Sequence, residues 1–118
     1  MRILIILNDP PYGSERSYNA LRLAHALGKN AADAEITVFL MADAVFCAKR
    51  GQKPPEGFYN IELMLGRVLA GATNKVLVCG TCMNARGLGD AELAEGARRS
   101  TMDALAQATL AADKVLVF

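Results

Sequence analysis

Arg2-Ile3-Leu4-Ile5-Ile6-Leu7, closed by Asn8-Asp9-Pro10-Pro11, is the stretch on which the architecture turns. Its five apolar residues follow one another with no polar position between them, so neither face of the strand is meant for water. Such a strand belongs inside a parallel sheet with helices on both sides. Three other stretches read as strands: Glu35 to Met41 around Ile36-Thr37-Val38-Phe39-Leu40, Lys75 to Cys79, and Lys114 to Phe118.

Helical patterns fill the spaces. Ser14 is placed to cap a helix running to about Leu27, with Leu21, Ala24 and Leu27 on one face and Gly28 as its stop. Asn60 is placed to cap a second, in which Ile61, Leu65, Val68, Leu69 and Ala72 make one stripe at helical period. Residues 80–90 read as a glycine-rich loop, Asp90 to about Ala97 as a short helix, and Arg98-Arg99 as a connector. Ser100 with Asp103 fits a capping box opening a helix from Thr101 to Ala112. Residues 49–57, with Pro54, Pro55, Gly51 and Gly57, read as the most mobile loop. The order strand-helix-strand-helix-strand, then a short helix, a helix and a last strand, predicts an α/β, flavodoxin-like three-layer sandwich: a parallel sheet of four to five strands with helices on both faces. Right-handed crossovers and a strand order near 2-1-3-4 put the ligand-binding switch point between strands one and three, where Asn8-Asp9 and Cys79 end.

The chain has 118 residues, which makes residues 1–118 one domain. No apolar run reaches the 18 residues a membrane span needs, and the apolar start breaks at once into Asn8-Asp9-Pro10-Pro11, unlike a secretory signal. Thirteen basic and twelve acidic residues leave a formal charge of +1, without the basic excess of a nucleic-acid binder. Apolar residues make up 53% of the chain, more than a small interior can hold, so a homo-oligomer is expected. Cys47, Cys79 and Cys82, an odd set, read as free thiols of a cytoplasmic protein.

Familiar nucleotide motifs fail on chemistry. Asn8 to Ser14 lacks the lysine and most of the glycines of a phosphate loop. Gly87-Leu88-Gly89 begins like a dinucleotide fingerprint, but Glu92 stands where the third glycine belongs. A phospho-receiver needs a carboxylate ending strand three, where this chain has Cys79. Cys79-Gly80-Thr81-Cys82 is the informative constellation. It admits inert packing, a zinc site completed by Cys47 and His25, or a reactive thiol. The third reading is favoured. Cys79 ends a buried strand, Gly80, Gly87 and Gly89 let backbone N–H groups approach a sulfur anion, and Arg86 can return a positive charge. Together these would lower the thiol pKa. Cys82 could resolve a bond made at Cys79 or share a bound sulfur. Asp9 and Asp43 read as loop and cap residues, Cys47 as packing, Arg98-Arg99 as a solvated pair, and Tyr12, Tyr18 and Phe58 as core aromatics or crevice lining.

Several stretches together resemble the DsrE/DsrF-like sulfur-relay family, whose relatives include the subunits of the TusBCD complex. They are Ile3-Leu4-Ile5-Ile6, Pro11-Tyr12-Gly13, Ala20-Leu21-Arg22-Leu23-Ala24, Phe39-Leu40-Met41-Ala42-Asp43-Ala44-Val45, Val78-Cys79 with Arg86-Gly87, and Ala111-Ala112-Asp113-Lys114-Val115. The resemblance implies that Cys79 accepts sulfur as a persulfide. Cys82 matches the branch with a Cys-x-x-Cys at this place, while Ala85 stands where the relay branch has a second arginine. It also implies ring-like trimers or hexamers.

The expected function is therefore a small sulfur carrier or sulfurtransferase. Cys79, Cys82 and Arg86 form its site, it holds no cofactor or metal because the sulfur is bound covalently, and its partners are donor and acceptor proteins rather than nucleic acid or membrane. Two alternatives stay open: a thiol–disulfide redox module using Cys79 and Cys82, and a non-catalytic ligand-binding subunit whose thiols are incidental.

Overall fold

The computed structural model describes residues 1–118. Strands β1 (Arg2–Leu7), β2 (Glu35–Leu40), β3 (Lys75–Cys79), β4 (Ala97–Ser100) and β5 (Lys114–Val117) form one sheet, every pair parallel. Helices α1 (Arg16–Asn30), α2 (Ile61–Leu69), α3 (Gly80–Ala85) and α4 (Met102–Ala111) connect them, with 3₁₀ turns at Ala42–Ala48 and Asp90–Glu92. Alternate strand residues face opposite layers. Ile3, Ile5 and Leu7 join Ile36, Val38, Leu40, Val76 and Val78 on the face that α1 and α2 cover. Leu4, Thr37 and Leu77 lie under Ala104, Ala108 and Ala111 of α4, across a cleft of about 350 Å³. Leu4, Ile5, Leu7, Ile36, Phe39 and Leu40 are fully buried. Each such side chain contributes about 1.5–3 kcal/mol relative to exposure. The expected three-layer α/β sandwich is present.

The strand order differs from the one expected. It is β4-β3-β2-β1-β5, not 2-1-3-4, so β1 and β3 are separated by β2. From β1 to β4 the chain steps in one direction. Only the last connection reverses, carrying β5 back to the free edge of β1, and right-handedness then puts α4 on the opposite face. The switch point therefore lies between β1 and β5. The Asn8 backbone and side-chain amides close it, donating to the Phe118 carbonyl at 3.1 and 3.3 Å. Cys79 sits instead between the ends of β2 and β4.

Local differences have local causes. Arg98-Arg99 lies in strand β4, because an edge strand needs only one ladder and its charges guard the open side. Residues 80–85 are helix α3, not loop, and the helix expected from Asp90 shortens to the turn ending at Glu92. Thr101, not Ser100, caps α4 by accepting from the Ala104 amide at 3.1 Å. Ser14 donates to the Asp9 carboxylate at 2.8 Å, so α1 starts later, at Arg16, without a side-chain cap. Asn60 does cap α2, accepting from the Leu63 amide at 3.1 Å. Residues 49–57 are irregular but pinned through Gln52. Its side chain donates to the carbonyls of Cys47 and Lys49 and accepts from the Tyr12 hydroxyl, and its own amide donates to Glu62.

Candidate functional site

Cys79 is the last residue of β3, and α3 begins at the next residue. The buried strand fixes its backbone, leaving the residue 4% exposed. Cys82 follows within the first turn of α3 and is partly exposed. Two neighbours grip Cys82. The Ala42 amide, just past the end of β2, donates to its sulfur at 3.2 Å. The Arg86 guanidinium donates to its carbonyl at 3.2 Å and to the Asp43 carboxylate at 2.9 Å. Ala42 holds a left-handed backbone, φ 50°, which is unfavourable for any residue with a Cβ. From β4, Arg99 donates to the Gly80 carbonyl at 3.1 Å and the Asn84 side chain at 3.0 Å, while pairing with Asp90. A Cβ on Gly80 would stand 3.0 Å from that guanidinium and 3.2 Å from the Ser100 carbonyl, so only glycine lets β4 and α3 approach this closely. Gly87, at φ 66°, ends α3 in the left-handed conformation, and the Leu88 amide returns to the Met83 carbonyl at 3.0 Å.

The electrostatics of Cys79 run against the sequence expectation of a lowered pKa. Burial pushes its thiol up. The amides of Cys82 and Thr81 pull it down, while the neighbouring Cys82 side chain raises it further. The lowering influence thus comes from the first turn of α3, not from the later glycines, and no hydrogen bond to the Cys79 sulfur is formed. Gly87 donates to the Asn84 carbonyl and Gly89 to the Glu92 carboxylate. Arg86 spends its charge on Asp43 and the Cys82 carbonyl. Cys47 lies apart. Fully buried, it donates to the Asp9 carbonyl at 3.7 Å, and burial pushes its thiol up to about 12. No group of three or more His, Cys, Asp or Glu side chains converges as metal ligands would, and His25 sits exposed on α1.

The DsrE/DsrF-like family matches residues 1–118. The chain belongs to that family. It is 46% identical to protein YchN of Escherichia coli over 117 residues, covering 99% of this chain and 98% of YchN. The crystal structure of the E. coli YchN protein superposes with a TM-score of 0.93 over the same shares of the two chains. A more distant relative, sulfurtransferase TusD of Salmonella arizonae, is 30% identical over 129 residues and covers the whole of both chains.

In this DsrE/DsrF-like chain, Cys79, Cys82 and Arg86 come together at the ends of β2 and β3, joined by Asp43. Asp9 is engaged elsewhere, with Ser14 and Arg16. Tyr12 and Tyr18 each stack on Tyr59, and Arg22 lies over Tyr18. Phe58, read as core or crevice, is 72% exposed. An open groove of about 520 Å³ between Tyr12, Pro54, Pro55, Phe58 and Tyr59 includes neither loop thiol. Two participants escaped the sequence reading. Arg99 had no apolar pattern to place it in a strand, and nothing in an alanine codon marks the Ala42 amide as a sulfur donor. No helix is long and apolar enough to cross a membrane.

Proposed function

We propose that this chain is a small sulfur carrier or sulfurtransferase that holds transferable sulfur as a persulfide on Cys79. The observation that carries the reading is the position of Cys79. It is fixed at the end of a buried strand, three residues before a second thiol and directly ahead of the first turn of α3, whose Thr81 and Cys82 amides act to lower its pKa without a formed hydrogen bond. Cys82 assists transfer. Arg86 acts as a positioning residue, holding the Cys82 carbonyl and Asp43 rather than the sulfur itself. The sulfur is bound covalently, so the reaction needs no cofactor, and its donor and acceptor are thiol-bearing proteins rather than nucleic acid or membrane. On this reading residues 1–118 act as one domain of a cytoplasmic ring, a trimer or hexamer. In support, Met102, Leu110, Val115 and Val117 leave large apolar side chains in water on α4 and β5, Leu110 at 88% exposure. The test is intact mass after incubation with a persulfide donor, donor removal and a brief thiol wash. Wild type retains an adduct of about 32 Da that Cys79→Ser does not. A wild-type chain that never gains that mass ends the reading.

The influence of the Cys82 side chain on the Cys79 thiol, three residues away, also favours a second reading, a dithiol–disulfide couple. Oxidation would then give a species about 2 Da lighter with a defined potential in a glutathione titration. A chain that stays reduced across the titration rejects it.

A further inference from the structure

Resting on the sulfur-carrier reading, we propose that the two thiols divide the work: Cys82 receives sulfur from the donor and Cys79 stores it. The difference in access points first to this order. Cys82 is partly open to solvent, while Cys79 is 4% exposed at the end of its strand. A donor protein presenting a persulfide can meet the Cys82 sulfur without opening the turn. It cannot meet Cys79 that way.

The surroundings of Cys82 suit an attacking sulfur. The Ala42 amide aims at that sulfur from 3.2 Å, where negative charge has to sit before attack. That amide comes from the one non-glycine residue with a left-handed backbone in the chain. Strain of this kind persists where the surrounding structure over-determines it, and it collects at functional sites. The neighbouring Asp43 holds Arg86, and Arg86 holds the Cys82 carbonyl. The segment after β2 therefore grips Cys82 at both ends. Cys79 has the opposite surroundings, a 4% exposed thiol at the strand end just ahead of α3, with no hydrogen bond gripping its sulfur. Those suit retention, because water and small thiols are kept from the stored sulfur.

The chemistry balances without an oxidant. Cys82 as thiolate attacks the outer sulfur of the donor R–S–SH. A bond forms between that sulfur and Cys82, the donor S–S bond breaks, and the electron pair leaves on R–S⁻. The product is Cys82–S–SH. The Cys79 sulfur then attacks the same outer sulfur. The Cys82 S–S bond breaks, the Cys79 proton passes to the departing Cys82 sulfur, and the products are Cys79–S–SH and Cys82–SH. One sulfane sulfur has moved inward, and neither cysteine has been oxidised by an outside reagent.

Glutathione persulfide serves as the probe, with the full-length chain acid-quenched over time and the extra sulfur located by fragment-ion mass spectrometry. In wild type the sulfur is expected first on Cys82 and later on Cys79. Cys82→Ser is expected to load Cys79 about tenfold or more slowly while reaching the same final level. Cys79→Ser is expected to load Cys82 at the wild-type rate and then lose the sulfur to a thiol wash. Sulfur appearing on Cys79 from the earliest time, or Cys82→Ser loading as fast as wild type, overturns the relay while the carrier reading stands. No sulfur on wild type at any time overturns both. The wild-type time course decides the order even if Cys82→Ser fails to fold.

Discussion

Cys47 and Cys79 are the same side chain with nearly the same small solvent exposure, although Cys47 lies far deeper, and burial raises the pKa of both. Their neighbours differ. Cys47 has carbonyl and hydroxyl company: its thiol donates to the Asp9 carbonyl, which also accepts from Ser17 at 2.9 Å. Cys79 feels a second thiol, which raises its pKa, and the Thr81 and Cys82 amides, which lower it. Burial alone makes a thiol inert, and only groups that can share or receive a sulfur, and balance its charge, make a buried thiol useful. The largest expected contrast follows. Cys79→Ser reduces retained persulfide to background, whereas Cys47→Ser leaves it at the wild-type level, both read by intact mass after donor removal and a brief thiol wash. Equal losses in the two variants would erase the distinction between the sites.

The next effect concerns the approach of β4 to the cysteine turn, which the Cys47 region lacks. Gly80→Ala places a Cβ 3.0 Å from the Arg99 guanidinium, 3.1 Å from its Cγ and 3.2 Å from the Ser100 carbonyl. The side chain can yield but the backbone cannot, so a loss of about 1–3 kcal/mol is expected in urea denaturation. Adding Arg99→Ala should return part of it. A Gly80→Ala chain as stable as wild type would mean that the α3–β4 approach is loose.

How far these features were legible depends on whether apolar pattern or geometry defines them. β1, β2, β3 and β5 were readable because burial on both faces writes unbroken apolar runs such as Ile3 to Leu7. β4 was not, because Ala97-Arg98-Arg99-Ser100 gains its place from one ladder and from Arg99's bonds to Gly80 and Asn84. Strand order was not legible either, since the same connections build a sheet that reverses after β2 or one that reverses only before β5. Cys79 and Cys82 stood out by spacing, and the structure does bring them together. The donor groups did not. Glycines suggested amides near the sulfur, but α3 starts directly after Cys79, so Thr81 and Cys82 supply them.

A smaller effect tests the inert member of the pair through pH. Cys47 is pushed up to about 12 from an ordinary 9.0, so the folded chain keeps its proton after the unfolded chain has lost it. The stability tied to this thiol is complete below about pH 9, declines as pH rises above that, and is gone by about 12. Cys47→Ala is expected to cost about 1 kcal/mol at pH 7, from lost packing. Denaturation between pH 8 and about 10.5 should show that cost shrinking, because the variant lacks the ionisation that penalises wild type. A cost that stays constant across the range would place the Cys47 thiol in contact with solvent.

The smallest effect isolates what Ala42 contributes to the difference between the sites. A left-handed residue with a Cβ is disfavoured by about 1–2 kcal/mol, and glycine at the same φ of 50° is not. Against that gain stands the greater freedom of glycine in the unfolded chain, about 0.4–1 kcal/mol. Ala42→Gly should therefore stabilise the protein by about 0.5 kcal/mol, a rise in the denaturation midpoint without a change in slope. The amide that meets Cys82 is still present in this variant, but the turn that aims it is freer. Sulfur loading is then expected to slow a few-fold even as stability rises, whereas Cys47→Ala leaves loading unchanged. A stabilised chain that loads at the wild-type rate would assign the strain at Ala42 to the turn alone. Slower loading with higher stability would mean that fixing one amide on the Cys82 sulfur is part of what lets the neighbouring Cys79 thiol be loaded, a partner the inert Cys47 lacks.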